Sequence, residues 1–463
     1  MRRAIFFRAF SGRAVDSELN RVSSHPGIAV VVCLLLAACQ TVGVSRRPIP
    51  VTSVAVPVAV PAAETSNAIE GAPGSSLSRV SDTRGLWVVR STLVHPDSVR
   101  AMVARAADAG FNTLLVQIRG RGDAYYSGGF EPRAAEIQDQ PAFDPLALTI
   151  REAKARGIEV HAWMNVHLIS SALAISRDPK HLVNERPELL AIPRELAEEL
   201  YDVDPASRVY RERLVEYTLA NRGTVEGLYS SPSAPEVKER VYAIATGLVE
   251  RYEIDGIHLD YVRYPSQAFD YSRGALDRFR AWIDGRITDD RRAELTSALD
   301  RNPLAFVEAF PDRWDEYRRD QITDLVERIY VGVKRRRPEV LVSAAVFPDA
   351  RESFTHRFQD WEGWLRMGIV DVVAPMAYNP SDALFDEAIS NAAEISGSER
   401  VWAGVGVHLT TYEGTLSKIE IAQRIGVRGF LLFSYDWSVA YGAAGGGQPF
   451  LERVGRAAQT LNR

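Results

Sequence analysis

The chain has 463 residues, of which 46% are hydrophobic and 25% charged, and its formal net charge is -5. That mix belongs to a globular protein large enough for one big barrel or two ordinary domains. The acidic balance excludes a basic nucleic-acid-binding surface, and Arg335-Arg336-Arg337 before Pro338 reads as a solvated helix end.

In chain order, the first element is a targeting segment. Arg2, Arg3, Arg8, Arg13 and Arg21 precede an apolar run from Ile28 to Ala38, too short to span a bilayer and right for a signal-peptide core. The run ends Leu36-Ala37-Ala38-Cys39, which resembles the lipobox of a bacterial lipoprotein. The resemblance implies cleavage before Cys39, lipid attachment to its sulfur, and a membrane anchor on the periplasmic side. Gln40 stands where an inner-membrane retention signal would carry Asp, which points to the outer membrane. The other cysteine, Cys33, lies inside the apolar run, so the mature domain is expected to hold no disulfide and no thiolate metal site. Residues 1–39 are thus read as leader, 40–80 as a Pro-, Val- and Ser-rich tether, and 81–463 as the folded domain.

The folded part reads as strands alternating with helices. Arg84 to Arg90 is a strand, Pro96 to Ala109 a helix closed by Gly110, and Asn112 to Ile118 a second strand. Asp144-Pro145 opens a helix that runs to Arg156, and Ile158 to Met164 is the third strand. From Asn165 to Pro235 the pattern loosens into a lid or cleft wall, too long for a simple connection. Helical periodicity returns over Glu236 to Arg251. The strand that follows, Gly256-Ile257-His258-Leu259-Asp260, is apolar at its centre and polar at its end. A second excursion covers Ser266 to Pro311, and a helix runs from Arg313 to Lys334. Strands are then expected over 341–347, 371–378, 401–407 and 429–435, with helices between them and a closing helix over 450–460. Strands apolar on both faces need cover on both sides. Eight such units predict an α/β fold, a (β/α)8 TIM barrel with long inserted loops after strands 3 and 4 and its site at the strand C-termini.

Polar residues gather at those C-termini. Asp260 is the expected centre, because a carboxylate leaving the core is costly unless it is paired or used. It reads as nucleophile, base or stabiliser of an oxocarbenium-like centre, or else as a structural partner of Arg119, Arg121 or Arg263. The proton donor stays open between Asp349, Asp436 and Asp123, with Glu131 and Glu316 behind them. Substrate contacts are expected from Gln117, Arg119, Arg121, Tyr126, His161, Asn165, His258, Arg263, Tyr378, Asn379, His408 and Trp437, since polar groups match hydroxyls and aromatic faces cover a sugar ring. Strand alternation puts His258 below Asp260 on one face. His161, His167, His258 and His408 share no metal-ligand spacing, so no metal and no cofactor is expected. No Ser-centred nucleophile elbow or phosphate loop is present.

The ordered motifs Arg84-Gly85-Leu86-Trp87, Gln117-Ile118-Arg119 with Gly122-Asp123-Ala124-Tyr125-Tyr126, Asp144-Pro145-Leu146, His161-Ala162-Trp163-Met164-Asn165, Asp255 to Tyr261 and Pro375-Met376-Ala377-Tyr378 resemble the glycosyl-hydrolase-like family-10 group of bacterial envelope proteins. The resemblance implies a barrel with glycosidase-type chemistry, some relatives being similar to enzymes that cut peptidoglycan glycans stripped of stem peptides. The chain departs from relatives at Val166-His167-Leu168. His258 and Val262 also replace two acids of the chitinase-type pattern, which argues against a substrate-assisted chitinase. The expected function is a lipid-anchored glycoside hydrolase acting on envelope glycan. The alternative is a non-catalytic glycan-binding lipoprotein.

Overall fold

Eight short strands pair in parallel to build the centre of the molecule: β1 (Arg84–Val88), β2 (Thr113–Arg119), β3 (Glu159–Asn165), β6 (Gly256–Asp260), β7 (Leu341–Val346), β8 (Val372–Pro375), β9 (Trp402–Gly406) and β10 (Gly429–Phe433). The computed structural model describes residues 82–444 and 449–461. The leader, Cys39 and the tether lie outside these described residues. Going round the sheet, the order is β8-β7-β6-β3-β2-β1-β10-β9. Bridges Val373–Val401 and Met376–Gly404 join its two ends, so the sheet closes into the expected barrel.

Two apolar layers follow from strands buried on both faces. Inside the barrel, Trp87, Leu115, Trp163, Leu341, Val372, Ala374, Trp402 and Leu431 fill the lumen. Outside, Leu86, Leu114, Val116, Ile257, Leu259 and Val342 pack against the helices. His258 lies in the lumen as the alternation predicts. Its Nε2 accepts the Trp87 indole N–H at 3.0 Å, so Nδ1–H faces the Ser343 hydroxyl at 2.9 Å. Burial, with His161 nearby, holds His258 well below the ordinary histidine range, and it stays neutral. Gly256 is required at the base of this strand, because a Cβ there would meet the His161 ring at 2.1 Å.

The helices begin where the sequence signals them. α1 (Pro96–Asp108) and α2 (Pro145–Lys154) both carry Pro in the first turn, and the Asp144 side chain caps α2 through the Ala147 N–H at 2.9 Å. The excursion after β3 holds α3 (Leu182–Glu185), α4 (Arg194–Leu200) and α5 (Arg208–Ala220). It also forms an antiparallel hairpin, unexpected from sequence, of β4 (Leu168–Ser170) with β5 (Leu228–Tyr229). α6 (Pro235–Arg251) returns the chain to β6. The second excursion folds as α7 (Arg273–Asp284), α8 (Asp289–Ala298) and α9 (Ala305–Ala309) around their own cluster of Phe279, Trp314 and Tyr317, ahead of α10 (Pro311–Arg336).

The remaining helices are α11 (Ala350–His356), α12 (Trp361–Met367), α13 (Asp382–Ser396), α14 (Tyr412–Ile425), α15 (Tyr435–Ala444) and α16 (Phe450–Leu461). Several strands stop earlier than periodicity predicts. β1 ends at Val88 and passes into a 3-10 turn over Arg90–Val94, and β8 spans only Val372–Pro375. β10 ends at Phe433, so Asp436 and Trp437 sit in the first turn of α15 rather than on a strand. Aromatic and apolar residues that suit a strand also suit the first turn of a buried helix, and pattern alone does not part the two.

Candidate active site

Asp260 is the last residue of β6, beside Asn165 at the end of β3. It is 8% exposed. One carboxylate oxygen accepts the Trp163 indole N–H at 3.0 Å, and the other accepts the Tyr261 backbone N–H at 2.7 Å. Tyr261 takes a left-handed backbone, φ 50°, which is costly for a residue with a Cβ and aims its N–H at the preceding carboxylate. Burial pushes Asp260 up to about 6; the Arg263 charge and the two hydrogen bonds pull against it, and a second carboxylate, Glu226, adds to the rise.

Glu226 comes from the segment leading into β5. Its carboxylate accepts the Arg263 guanidinium at 2.8 Å and the Tyr229 hydroxyl at 2.6 Å. Burial opposes its charge, but Arg263 and Tyr229 outweigh burial and hold it below the usual glutamate range. Arg263 is itself sandwiched between the Tyr261 ring at 4.7 Å and the Phe347 ring at 5.0 Å, which fixes its fork toward Glu226. Asp260 feels the charge of Glu226, and the two carboxylates are displaced in opposite directions, the pattern by which acid and base roles separate. Arg121 completes this side of the mouth. It is half-buried, held below its ordinary range by desolvation and by Arg90, and it feels the Tyr261 and Tyr229 hydroxyls.

Periodicity could not reveal Glu226, because the hairpin that positions it is only two residues long on one side. The one available signal is Gly227. A Cβ there would meet the Ser170 carbonyl oxygen at 2.1 Å, so the glycine just ahead of β5 marks a close approach of two backbones.

The carboxylates expected as proton donors have other partners. Asp349 is exposed and caps α11, accepting the Glu352 N–H at 2.9 Å. Asp123 accepts the Arg121 backbone N–H at 2.9 Å and shapes its own turn. Asp436 is raised by burial and ties α15 to the end of β1, accepting the Val89 N–H at 3.0 Å and the Thr92 and Ser91 hydroxyls.

The expected substrate-contact residues divide into two groups. Gln117, Arg119 and Asn165 lock the strand ends together. Gln117 donates to Asn165 Oδ1 at 3.2 Å, Asn165 donates to the Gly120 carbonyl at 2.9 Å, and Arg119 forks onto Glu131 Oε1 at 3.1 and 2.8 Å. Tyr126 is buried beside Glu131 and Arg251. His161 lies deep in the lumen against Trp402, and His258 below Asp260. His167, outside the expected contacts, is buried against Ser230 and pushed down to about 3 by burial, with Arg119 and Lys238 adding to it. Asn379 caps the turn before α13 through the Ser381 N–H. The second group forms an open wall: Tyr378 stacks on Phe433 at 5.3 Å, and His408 stacks on Trp437 at 5.8 Å. These rings are half-buried and give the mouth one aromatic side facing its charged one.

Comparison with known proteins agrees with the barrel fold and with a glycoside-hydrolase-like family. The family described as glycosyl hydrolase-like 10 matches residues 82–414. Glycosyl hydrolase DigH of Escherichia coli O6:H1 is 26% identical over 428 residues, covering 86% of this chain and 85% of that protein. Glycosyl hydrolase YngK of Bacillus subtilis strain 168 is 24% identical over 288 residues, 58% of this chain and 46% of its own. Among solved structures, the PgaB (BpsB) glycoside hydrolase domain from Bordetella bronchiseptica superposes with a TM-score of 0.55 at 14% identity, over 81% of this chain and 98% of that domain. The catalytic domain of a β-amylase from Paenibacillus polymyxa gives 0.52 at 11% identity, over 81% and 99%. Likeness at that identity speaks for the fold.

Proposed function

This chain belongs to the glycosyl hydrolase-like 10 family, and on that premise we propose that it hydrolyses O-glycosidic bonds of an envelope glycan with Asp260 as general acid and Glu226 as its ionised partner. The observation that carries the reading is the placement of Asp260 and Glu226 around Arg263, which binds Glu226 at 2.8 Å and whose charge acts on both carboxylates, with Asp260 pushed up to about 6 and Glu226 down. A protonated Asp260 delivers its proton to the departing glycosidic oxygen. Glu226, kept charged by Arg263 and Tyr229, faces the positive charge that develops on the sugar ring, as nucleophile or through an activated water. The Tyr378, His408 and Trp437 wall lies against the apolar face of a neighbouring sugar.

The substrate class proposed is peptidoglycan strands, supported by the family motifs and by the lipobox-like Leu36-Ala37-Ala38-Cys39, which would hold the domain at a periplasmic membrane face. Incubating the domain from residue 81 with intact and amidase-stripped peptidoglycan should release new reducing ends. A folded domain that releases none across a broad glycan panel would overturn the reading and favour a glycan-binding role. Glu226→Gln should lower turnover by about 10²–10³-fold while Asp260 titrates lower, since a negative neighbour has gone. An unchanged rate would remove Glu226 from the chemistry. Cys39→Ser should move the protein from the membrane fraction to the soluble fraction; persistence in the membrane fraction would argue against lipidation at that sulfur.

A further inference from the structure

The barrel carries a second concavity on its flank. It lies between the first halves of α6 and α10, with α7 and the loop after β2 at its edges, and has a volume of about 1240 Å³. Its three carboxylates are already engaged: Glu185 by Arg240 at 3.4 Å, Glu236 by Arg186 at 3.5 Å, and Glu239 by Arg328. Its ammonium, Lys238, has Asp324 at 3.5 Å and donates to Gln321 at 2.7 Å.

Arg278 differs from all of these. Its guanidinium donates to the hydroxyls of Ser231 at 3.4 Å and Ser233 at 3.1 Å, and among the described residues no carboxylate lies within 4.0 Å of it. Both serines are buried, so they fix the direction of the fork without neutralising it. Lys238 is held below its ordinary range chiefly by burial; Asp324 pulls it back up and the charges of Arg278 and Arg328 press it down. The surplus of positive charge is in the lining itself, where Arg186, Lys238, Arg240, Arg278 and Arg328 stand against Glu185, Glu236 and Glu239. Around this surplus the wall is apolar, with Phe130, Leu182, Leu189 and Trp282 lining the groove and Phe130 65% exposed. A preset guanidinium without a counter-ion, beside an apolar wall, is complementary to a small ring that bears a carboxylate.

We propose that this groove is an accessory site for a carboxylate-bearing sugar unit of the glycan, its carboxylate taken by Arg278 with Lys238 beside it and its ring laid against Phe130 and Trp282. The inference deepens the glycan-hydrolase reading and takes its substrate class from it. It predicts a preference for stripped strands, because removing stem peptides exposes free lactyl carboxylates that an amide-linked peptide would hide.

The test uses full chain carrying Asp260→Asn, so that binding is read without turnover. Amidase-stripped glycan strands are titrated calorimetrically, then the same strands with their carboxylates converted to methyl amides, then inorganic phosphate. The acidic strands should bind at least about tenfold tighter than the amidated ones. Adding Arg278→Met should abolish that preference, and Arg278→Lys should restore part of it. Lys238→Met should reduce it and serves as the second probe if Arg278→Met melts early. Equal affinity for both strands, a preference that survives Arg278→Met, or phosphate binding as tightly as the acidic strands would each overturn the proposal. Failure of the hydrolase reading would register separately, as absence of new reducing ends from the wild-type chain.

Discussion

Asp260→Asn is expected to lower kcat/KM on envelope glycan by about 10³-fold, because an amide holds the shape of the site but has no acidic proton to give. The pH profile carries more information than the loss. Asp260 titrates near 6 and must be protonated to act as acid, so wild-type kcat/KM should fall about tenfold per pH unit above that point. Glu226 must be ionised, and its depressed titration puts the acidic limb below the ordinary glutamate range. The result is a bell with its maximum on the acidic side of neutrality. The same shift acts on stability. The folded state of Asp260 binds its proton more tightly than the unfolded chain does, so this stabilisation is full below about pH 4 and is lost as pH rises through about 6. Asp260→Asn lacks that term. Relative to wild type, the variant should therefore gain about 2–3 kcal/mol between pH 4 and pH 7 in denaturant unfolding. Parallel pH dependences of the two proteins would mean that Asp260 is not raised, and the acid role would go with it.

Glu131→Ala is expected to cost about 3–5 kcal/mol of stability, the loss typical when one partner of a buried ion pair is removed. Glu131 and Arg119 are 0% and 2% exposed at their side chains. Arg119 also donates to the carbonyls of Asn165 and Val166, so its guanidinium cannot swing to water without releasing the end of β3. Arg240, at 3.6 Å from Glu131, would lose a counter-charge as well. The denaturation midpoint at pH 7 measures the effect, and Glu131→Gln should recover part of it through shape alone. A loss under 1 kcal/mol would mean that Arg119 is solvated in a way its burial does not indicate.

The barrel was legible in the sequence because its strands are apolar on both faces and its helices are punctuated by Asp144-Pro145, Gly110 and Gly157. The position of Asp260 was legible for the same reason, since a charge at the end of an apolar strand must emerge from the core. Its proposed partner was not. Glu226 reaches the rim through a hairpin whose pairing joins Leu168 to Tyr229, a contact that no local period encodes. Asp349, Asp436 and Asp123 were attractive because they stand near strand ends. A strand end is also where helix caps and turns need carboxylates, and those needs absorb all three. Gln117, Arg119 and Asn165 show the same ambiguity, for these polar groups serve one another rather than standing free for a ligand.

The two carboxylates of the proposed pair differ in structural origin. Asp260 is part of a barrel strand, whereas Glu226 rides on an excursion that packs beside the barrel without joining its sheet. A shortened or reshaped excursion would take Glu226 away and leave the eight strands with every one of their partners. In this architecture the reaction can be altered, or switched off, by edits to an appendage, so relatives that share the barrel need not share the chemistry.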